Sequence, residues 1–121
     1  MNRKFIVPFD TALFLKRKEY PQKDSDWFYD IYGYLYTRAQ LEAEHKENFP
    51  KMVDYYFAAP TYHEVVDWLL GKGYPIESAC IREYSDSDVK WLCGVEYTRT
   101  RICPTREEAL NEIILKVLEK M

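Results

Sequence analysis

The clearest alternation of apolar and polar positions lies near the C-terminus. From residue 109 to residue 118 the apolar residues recur at steps of one and three, which places them on one face of an α-helix. Thr105 and Glu108 precede them at the spacing of a capping box, in which each side chain binds a backbone N–H of the first helical turn. The pattern predicts a helix with one buried stripe. The stripe consists of Ala109, Leu110, Ile113, Ile114, Val117 and Leu118.

Caps and spacing predict three further helices. The string Thr61-Tyr62-His63-Glu64 begins one that ends at Gly71-Lys72-Gly73. Its apolar side is formed by Tyr62, Val65, Val66, Leu69 and Leu70. The string Thr37-Arg38-Ala39-Gln40 is another capping box, and it begins a mostly polar helix that extends to Glu47. Asp10 is expected to cap a short helix that ends at Lys18.

Two hairpins are predicted between these helices. The first has strands at 27–30 and 34–37 and a loop at 31–33, where Gly33 supplies a positive φ. The second joins Ile76–Tyr84 to Val89–Ile102 through the polar turn at 85–88. A symmetric turn pairs Cys80 with Cys93, which leaves open a disulfide between them or two unpaired core thiols. The core face of the second strand is predicted to contain Trp91, Cys93, Val95 and Tyr97.

These elements predict an α+β fold with two layers. The hairpins would form one antiparallel or mixed sheet packed against two or three helices. Residues 52–59 would add a strand, with Val53, Tyr55 and Phe57 on one side. Because the chain has 121 residues and no linker-like segment, a single domain over residues 1–121 is expected.

Composition and charge exclude several classes of protein. Hydrophobic residues make up 47% of the chain and charged residues 31%, which is typical of soluble globular proteins. The formal net charge of −3 and the lack of a basic face argue against nucleic-acid binding. No apolar run is long enough to cross a bilayer. The three cysteines lack a C-x-x-C pair, and no signal peptide is apparent, so a cytoplasmic protein is expected.

One short string is close to a metal-binding motif. His63-Glu64-Val65-Val66-Asp67 differs from H-E-x-x-H in its last position, and side chains at i and i+4 share a helix face. A small metal-dependent hydrolase that uses His63 and Asp67 is therefore an alternative function. Its third ligand has no candidate except His45 or a distant carboxylate, and Glu64 is already explained as part of a helix cap. No catalytic residue, cofactor or metal is predicted from the rest of the sequence.

Aromatic residues are the one unusual feature of the composition. The chain contains 11 Tyr, 6 Phe and 3 Trp, which together form 17% of it. In the first hairpin, alternation places Phe28, Tyr34 and Tyr36 on one face and other large side chains on the opposite face. In a two-layer protein one of these faces stays uncovered, unless a helix or loop packs on it. The uncovered face would bind a protein partner or a second copy of the chain, and weak binding of single-stranded nucleic acid is a further alternative.

Several strings resemble those of a known group of proteins. These are Phe5-Ile6-Val7-Pro8-Phe9, Ala59-Pro60-Thr61-Tyr62 and the helical strings Glu64–Leu69 and Arg106–Ala109. Together they resemble short uncharacterised proteins of gut Bacteroidales, their phages and mobile elements, over residues 5–19 and 57–118. That group has no assigned activity, so the resemblance implies no catalytic residue. It implies an accessory role in phage or mobile-element biology, and the sequence as a whole favours a non-catalytic protein-interaction module.

Overall fold

The computed structural model describes residues 5–82, 89–95, 98–100 and 103–121. The chain divides into two compact units. The N-terminal unit is Ile6–Thr61, and the C-terminal unit is Tyr62–Met121 together with Phe5. Helices and antiparallel strands occur in both units, so the predicted α+β class is confirmed. The single-domain organisation stays a prediction.

The N-terminal unit contains three helices and a small sheet. Short 3-10 turns at Lys46–Asn48 and Val53–Tyr55 flank the third helix. The sheet is antiparallel, and the first of its three strands in chain order lies between the other two. The elements in chain order are α1 (Phe9–Arg17), β1 (Trp27–Tyr29), β2 (Leu35–Thr37), α2 (Arg38–His45), α3 (Phe49–Met52) and β3 (Phe57–Ala58).

The first hairpin has the predicted register. Phe28 pairs with Tyr36, and the backbone N–H of Asp30 donates to the carbonyl of Tyr34 at 3.0 Å, which leaves residues 31–33 as the loop. Gly33 has the predicted positive φ, at +86°. A Cβ atom at this position would also lie 3.3 Å from the Phe9 ring, so both the backbone conformation and the space favour glycine.

Helices cover both faces of the N-terminal sheet. On one face Phe28 is fully buried against α2 and α3, with its ring 6.1 Å from that of Phe49. On the other face the Phe9 ring of α1 lies 5.4 Å from Tyr29 and 5.8 Å from Phe57. Of the two alternatives that the sequence left open, the structure supports the covered hairpin, because helices pack on both faces of this sheet.

Local sequence determines where the N-terminal helices begin. The Thr37 hydroxyl accepts from the backbone N–H of Gln40 at 3.1 Å, and the Gln40 side chain accepts from the backbone N–H of Thr37 at 2.8 Å. This confirms the predicted capping box. Helix α1 begins one residue before Asp10, with Pro8 as its N-cap.

The predicted strand at 52–59 is wrong for most of its length. A short helix and a 3-10 turn occupy residues 49–55, and only Phe57–Ala58 is a strand. Pro50 lies in the first turn of that helix, where its missing N–H has no intrahelical partner to lose. Val53 is buried and Tyr55 is exposed, so these two residues do not share a side as predicted.

Two polar side chains hold the loops around β3. The Lys16 ammonium donates to the carbonyls of Asp54 at 2.7 Å and Tyr56 at 2.8 Å, and burial lowers its pKa although the charge of Asp54 opposes this effect. The Gln22 side chain accepts from the backbone N–H of Ala58 at 2.8 Å and donates to the Tyr20 carbonyl at 2.8 Å. The N–H of Ala58 that points away from β1 is thereby occupied.

The C-terminal unit contains two long helices and a second antiparallel sheet. Its three strands are neighbours in chain order. The two hairpins therefore belong to separate sheets, one in each unit, instead of one joint sheet. The elements are α4 (Tyr62–Gly71), β4 (Glu77–Arg82), β5 (Val89–Val95), β6 (Thr98–Arg99) and α5 (Arg106–Lys120).

The second hairpin differs from the prediction by two residues in register. Cys80 pairs with Trp91, and Cys93 pairs with Ser78, so the predicted pairing of Cys80 with Cys93 is wrong. A shift of two residues preserves the face of each side chain. Cys93 and Val95 are accordingly buried as predicted, and Trp91 is half-buried. The predicted turn at 85–88 and the predicted core residue Tyr97 lie outside the described residues.

The apolar stripe of α5 is confirmed in full. All six predicted residues are buried. In α4 the prediction holds for Tyr62, Val65 and Leu69, whereas Val66 is half-buried and Leu70 is 57% exposed. The apolar face of α4 is therefore narrower than its sequence suggests.

The N-cap of α5 provides a first testable prediction. The Thr105 hydroxyl accepts from the backbone N–H of Glu108 at 3.2 Å. Thr105→Ala removes this acceptor and is expected to lower the free energy of unfolding by about 1 kcal/mol, measured by urea denaturation. Thr105→Ser keeps the hydroxyl and is the matched control. An equal loss in the serine and alanine variants would contradict a capping role.

Candidate functional site

The predicted patch of Phe28, Tyr34 and Tyr36 is not one exposed surface. Phe28 is fully buried, Tyr36 is half-buried, and Tyr34 is 67% exposed. The assignment of Phe28 to a binding surface is wrong, because helices α2 and α3 cover the face of the sheet to which it belongs. Only Tyr34 keeps the accessibility that the prediction required.

The exposed apolar side chains of the hairpin lie on its turn. Ile31 is 69% exposed and Tyr32 is 81% exposed, and Tyr34 follows them. We call these three residues the turn surface. Sequence reasoning missed Ile31 and Tyr32 because it treated them as loop positions. The available signal was that hairpin turns normally consist of Gly, Asn, Asp and Ser, whereas this loop carries two large side chains and is followed directly by a third.

Asp30 fixes the conformation of this turn. Its Oδ1 accepts from the backbone N–H of Tyr32 at 2.8 Å and of Tyr34 at 3.0 Å, and its Oδ2 accepts from the Tyr36 hydroxyl at 3.0 Å. Its carbonyl accepts from the N–H of Gly33 at 3.1 Å. One carboxylate thus orders both the backbone of the turn and a neighbouring ring, so the turn surface is held in place before any partner binds.

A line of ring contacts extends from the turn to the end of α2. The Tyr36 and Tyr56 rings meet edge to face with centroids 6.3 Å apart, and the Tyr56 hydroxyl lies 2.9 Å from His45 Nε2. The pKa of Tyr36 is raised, mainly because its hydroxyl donates a hydrogen bond to Asp30. Burial, with a contribution from the charges of Glu44 and Asp30, raises the pKa of Tyr56. Both pKa shifts favour the neutral form of the phenol.

A cavity adjoins this line of contacts. It has a volume of about 440 Å³ and is open to solvent. We call it the α2-end cavity, and its lining residues are Glu44, His45, Lys46, Glu47 and Asn48. Lys46 has a φ of +51°, a strained conformation for a residue with a side chain. With two glutamates, one lysine and one histidine, the cavity is polar and has a small excess of negative charge.

His63 and Asp67 lie in the arrangement that the sequence indicated. His63 Nε2 is 3.4 Å from the Asp67 carboxylate, and both side chains are exposed on α4. Among the residues that the structure describes, no three side chains of His, Cys, Asp or Glu are grouped so that they could hold a metal ion. The pair therefore supplies two of the three or more ligands that catalytic zinc requires.

The thiols of Cys93 and Cys103 are buried, and neither is in a disulfide. Burial raises the pKa of Cys93 to about 11, although Arg106 opposes this effect. The Cys103 thiol donates to the Glu112 carboxylate at 3.4 Å. Since the thiolate is the nucleophilic form, a pKa near 11 leaves Cys93 almost wholly protonated at neutral pH. These features are those of core thiols.

Comparisons with protein-family models, with curated proteins and with solved structures find no match to this chain. Within the described residues, no helix has both the length and the apolar character that a membrane span needs.

Proposed function

We propose that this chain is a non-catalytic protein-interaction module that binds its partner through the turn surface. The observation that carries the proposal is the exposure of Ile31, Tyr32 and Tyr34, each by two thirds or more, on a turn held by the Asp30 carboxylate. Single exposed apolar residues are common on protein surfaces, whereas here three lie within four consecutive positions at the end of one hairpin.

The chemistry of these side chains supports binding. Tyrosine is enriched at protein interfaces because its ring offers a large contact area and its hydroxyl remains compatible with water. An ordered turn also loses little conformational entropy when it binds, which favours affinity. The resemblance to proteins of phages and mobile elements supports an accessory role for the module in such a system.

Selection of peptides from a yeast-displayed random library tests the proposal. We expect the chain to enrich peptides whose affinity falls by about tenfold or more in the double variant Tyr32→Ser/Tyr34→Ser, since central aromatic residues dominate interface energies. Leu70→Ser, which removes an exposed apolar side chain from the other unit, is the control and should bind as the wild type does.

Self-association is measured in parallel by sedimentation velocity. A concentration-dependent dimer that the double variant loses would also support the proposal, with a second copy as the partner. Circular dichroism checks that each variant is folded. The proposal fails if the double variant binds every selected peptide as tightly as the wild type and its association state is unchanged.

A further inference from the structure

The surface around the turn carries more negative than positive charge. Asp30 lies at the turn, and the α2-end cavity contributes Glu44 and Glu47 against Lys46. Among these residues, three carboxylates stand against the single ammonium of Lys46. The charges of Asp30 and Glu44 both act on the phenols of Tyr36 and Tyr56, so these groups share one local field.

The basic side chains of Arg38 and Lys16 make hydrogen bonds within the N-terminal unit. Arg38 follows β2 at the end of the hairpin opposite the turn, where its guanidinium donates to the Ser25 carbonyl at 3.1 Å and to Glu42 at 2.9 Å. The Lys16 ammonium is bound to the two carbonyls of Asp54 and Tyr56. Neither base neutralises the carboxylates at the turn end of the hairpin through a described contact.

The turn surface and the α2-end cavity are joined by direct contacts. Asp30 binds the Tyr36 hydroxyl, the Tyr36 ring meets that of Tyr56, and Tyr56 contacts His45, which lines the cavity. A bound segment could follow this line from the exposed rings to the carboxylates. These contacts link the turn to the cavity, and we therefore treat the two regions as one candidate surface, apolar at the turn and acidic at the cavity.

This combination suits a positively charged side chain next to an apolar one. Lysine and arginine bind carboxylates through charge-assisted hydrogen bonds, and their cations are attracted to the faces of tyrosine rings. A second copy would present a surface with the same excess of carboxylates, so self-association through it would bring two surfaces of like charge together, which is unfavourable. Charge complementarity thus favours a different chain as the occupant.

We infer that this surface receives a basic peptide segment of another protein, with an apolar residue on the turn surface and a lysine or arginine at the α2-end cavity. The inference rests on the proposed function and specifies the chemistry of the partner. Acidic and neutral segments would lack the electrostatic attraction.

Two synthetic peptides serve as probes in an NMR titration of the ¹⁵N-labelled chain. One alternates lysine with leucine, and the other alternates glutamate with leucine. The lysine peptide is expected to shift the amide signals of residues 30–36 and 44–48, and its affinity is expected to fall when sodium chloride is added, because exposed charges are screened. The glutamate peptide should leave these signals in place.

Variants of the carboxylates test the charge contribution separately from the turn. Glu44→Gln/Glu47→Gln is expected to weaken binding of the lysine peptide about three- to tenfold, as two exposed ion pairs would. Glu119→Gln, an exposed change on α5, is the matched control and should have no effect. A lysine peptide that is indifferent to both salt and the double variant overturns the inference.

The failures of the two proposals are distinguishable. If library peptides need Tyr32 and Tyr34 but are neither basic nor sensitive to Glu44→Gln/Glu47→Gln, the inference about charge fails and the interaction function stands. The inference also fails if the surface binds only a second copy of the chain. If the tyrosine variant binds all peptides normally, both proposals fail together.

Discussion

Replacement of Phe28 by alanine is expected to lower the free energy of unfolding by about 3 to 5 kcal/mol. The Phe28 ring is fully buried and meets the Phe49 ring edge to face, and Leu41, Val53 and Ala58 complete the cluster around it. Alanine would remove most of this contact area and leave a cavity between the sheet and α2. Urea denaturation followed by circular dichroism measures the change.

The matched control for this prediction is Tyr34→Ala in the same hairpin. Because Tyr34 is exposed, its removal is expected to change the free energy of unfolding by no more than about 0.5 kcal/mol. The two aromatic residues, which alternation alone places on one face, would thus separate into a core residue and a surface residue. A change below about 1 kcal/mol for Phe28→Ala would contradict the burial of its ring.

The second large effect is a loss of stability at alkaline pH that depends on Cys93. Burial raises the pKa of this thiol from its ordinary value of 9.0 to about 11 in the folded protein. Between these pH values the unfolded chain releases the thiol proton and the folded chain keeps it, so stability falls as pH rises. The contribution is fully present below pH 9 and is lost by about pH 11. The expected loss is about 2 to 3 kcal/mol.

Cys93→Ala isolates this contribution from the titration of lysines and tyrosines. The variant is expected to be less stable than the wild type at pH 7, because it loses buried contacts. Between pH 9 and pH 11, however, it should lose about 2 to 3 kcal/mol less than the wild type does. Denaturation curves across this range measure the difference. Parallel losses in the two proteins would show that the thiol does not titrate as proposed.

Local sequence patterns predicted the structure correctly where the feature lies within a single element. The six buried residues of α5 follow from apolar spacing along a single helix, and the capping box at Thr37 follows from four consecutive residues. The register of the first hairpin follows from a short loop with glycine at its end. In each case the information lies within a few residues of the feature, so no tertiary contact can override it easily.

Features that depend on distant parts of the chain were not predictable in this way. The cover over both faces of the N-terminal sheet comes from α1 on one side and α2 with α3 on the other. No local pattern predicts the contact between Phe9 and Tyr29. The predicted register of the second hairpin assumed a symmetric turn, and the observed register differs from it by two residues. Alternation of apolar and polar residues could not reveal this error, because a shift of two residues leaves every side chain on the same face.

The sequence predicted the type of residue that forms the candidate site, but not which residues these are. The excess of aromatic residues indicated that some rings would be accessible, and Tyr34 is among them. Alternation along the strands then assigned exposure to a whole face, whereas the exposed residues lie in the loop and directly after it. A turn is exposed because its backbone leaves the sheet, and this would have identified Ile31 and Tyr32 directly from the sequence.

The contact between Gln22 and Ala58 has a consequence for how this small sheet ends. Unpaired N–H groups along an outer strand can recruit a strand from a neighbouring molecule, which is a common route to aggregation. At Ala58 the backbone N–H that points away from β1 donates to the side-chain oxygen of Gln22 instead of to another strand. The side chain of Gln22 therefore disfavours the addition of another strand at that position.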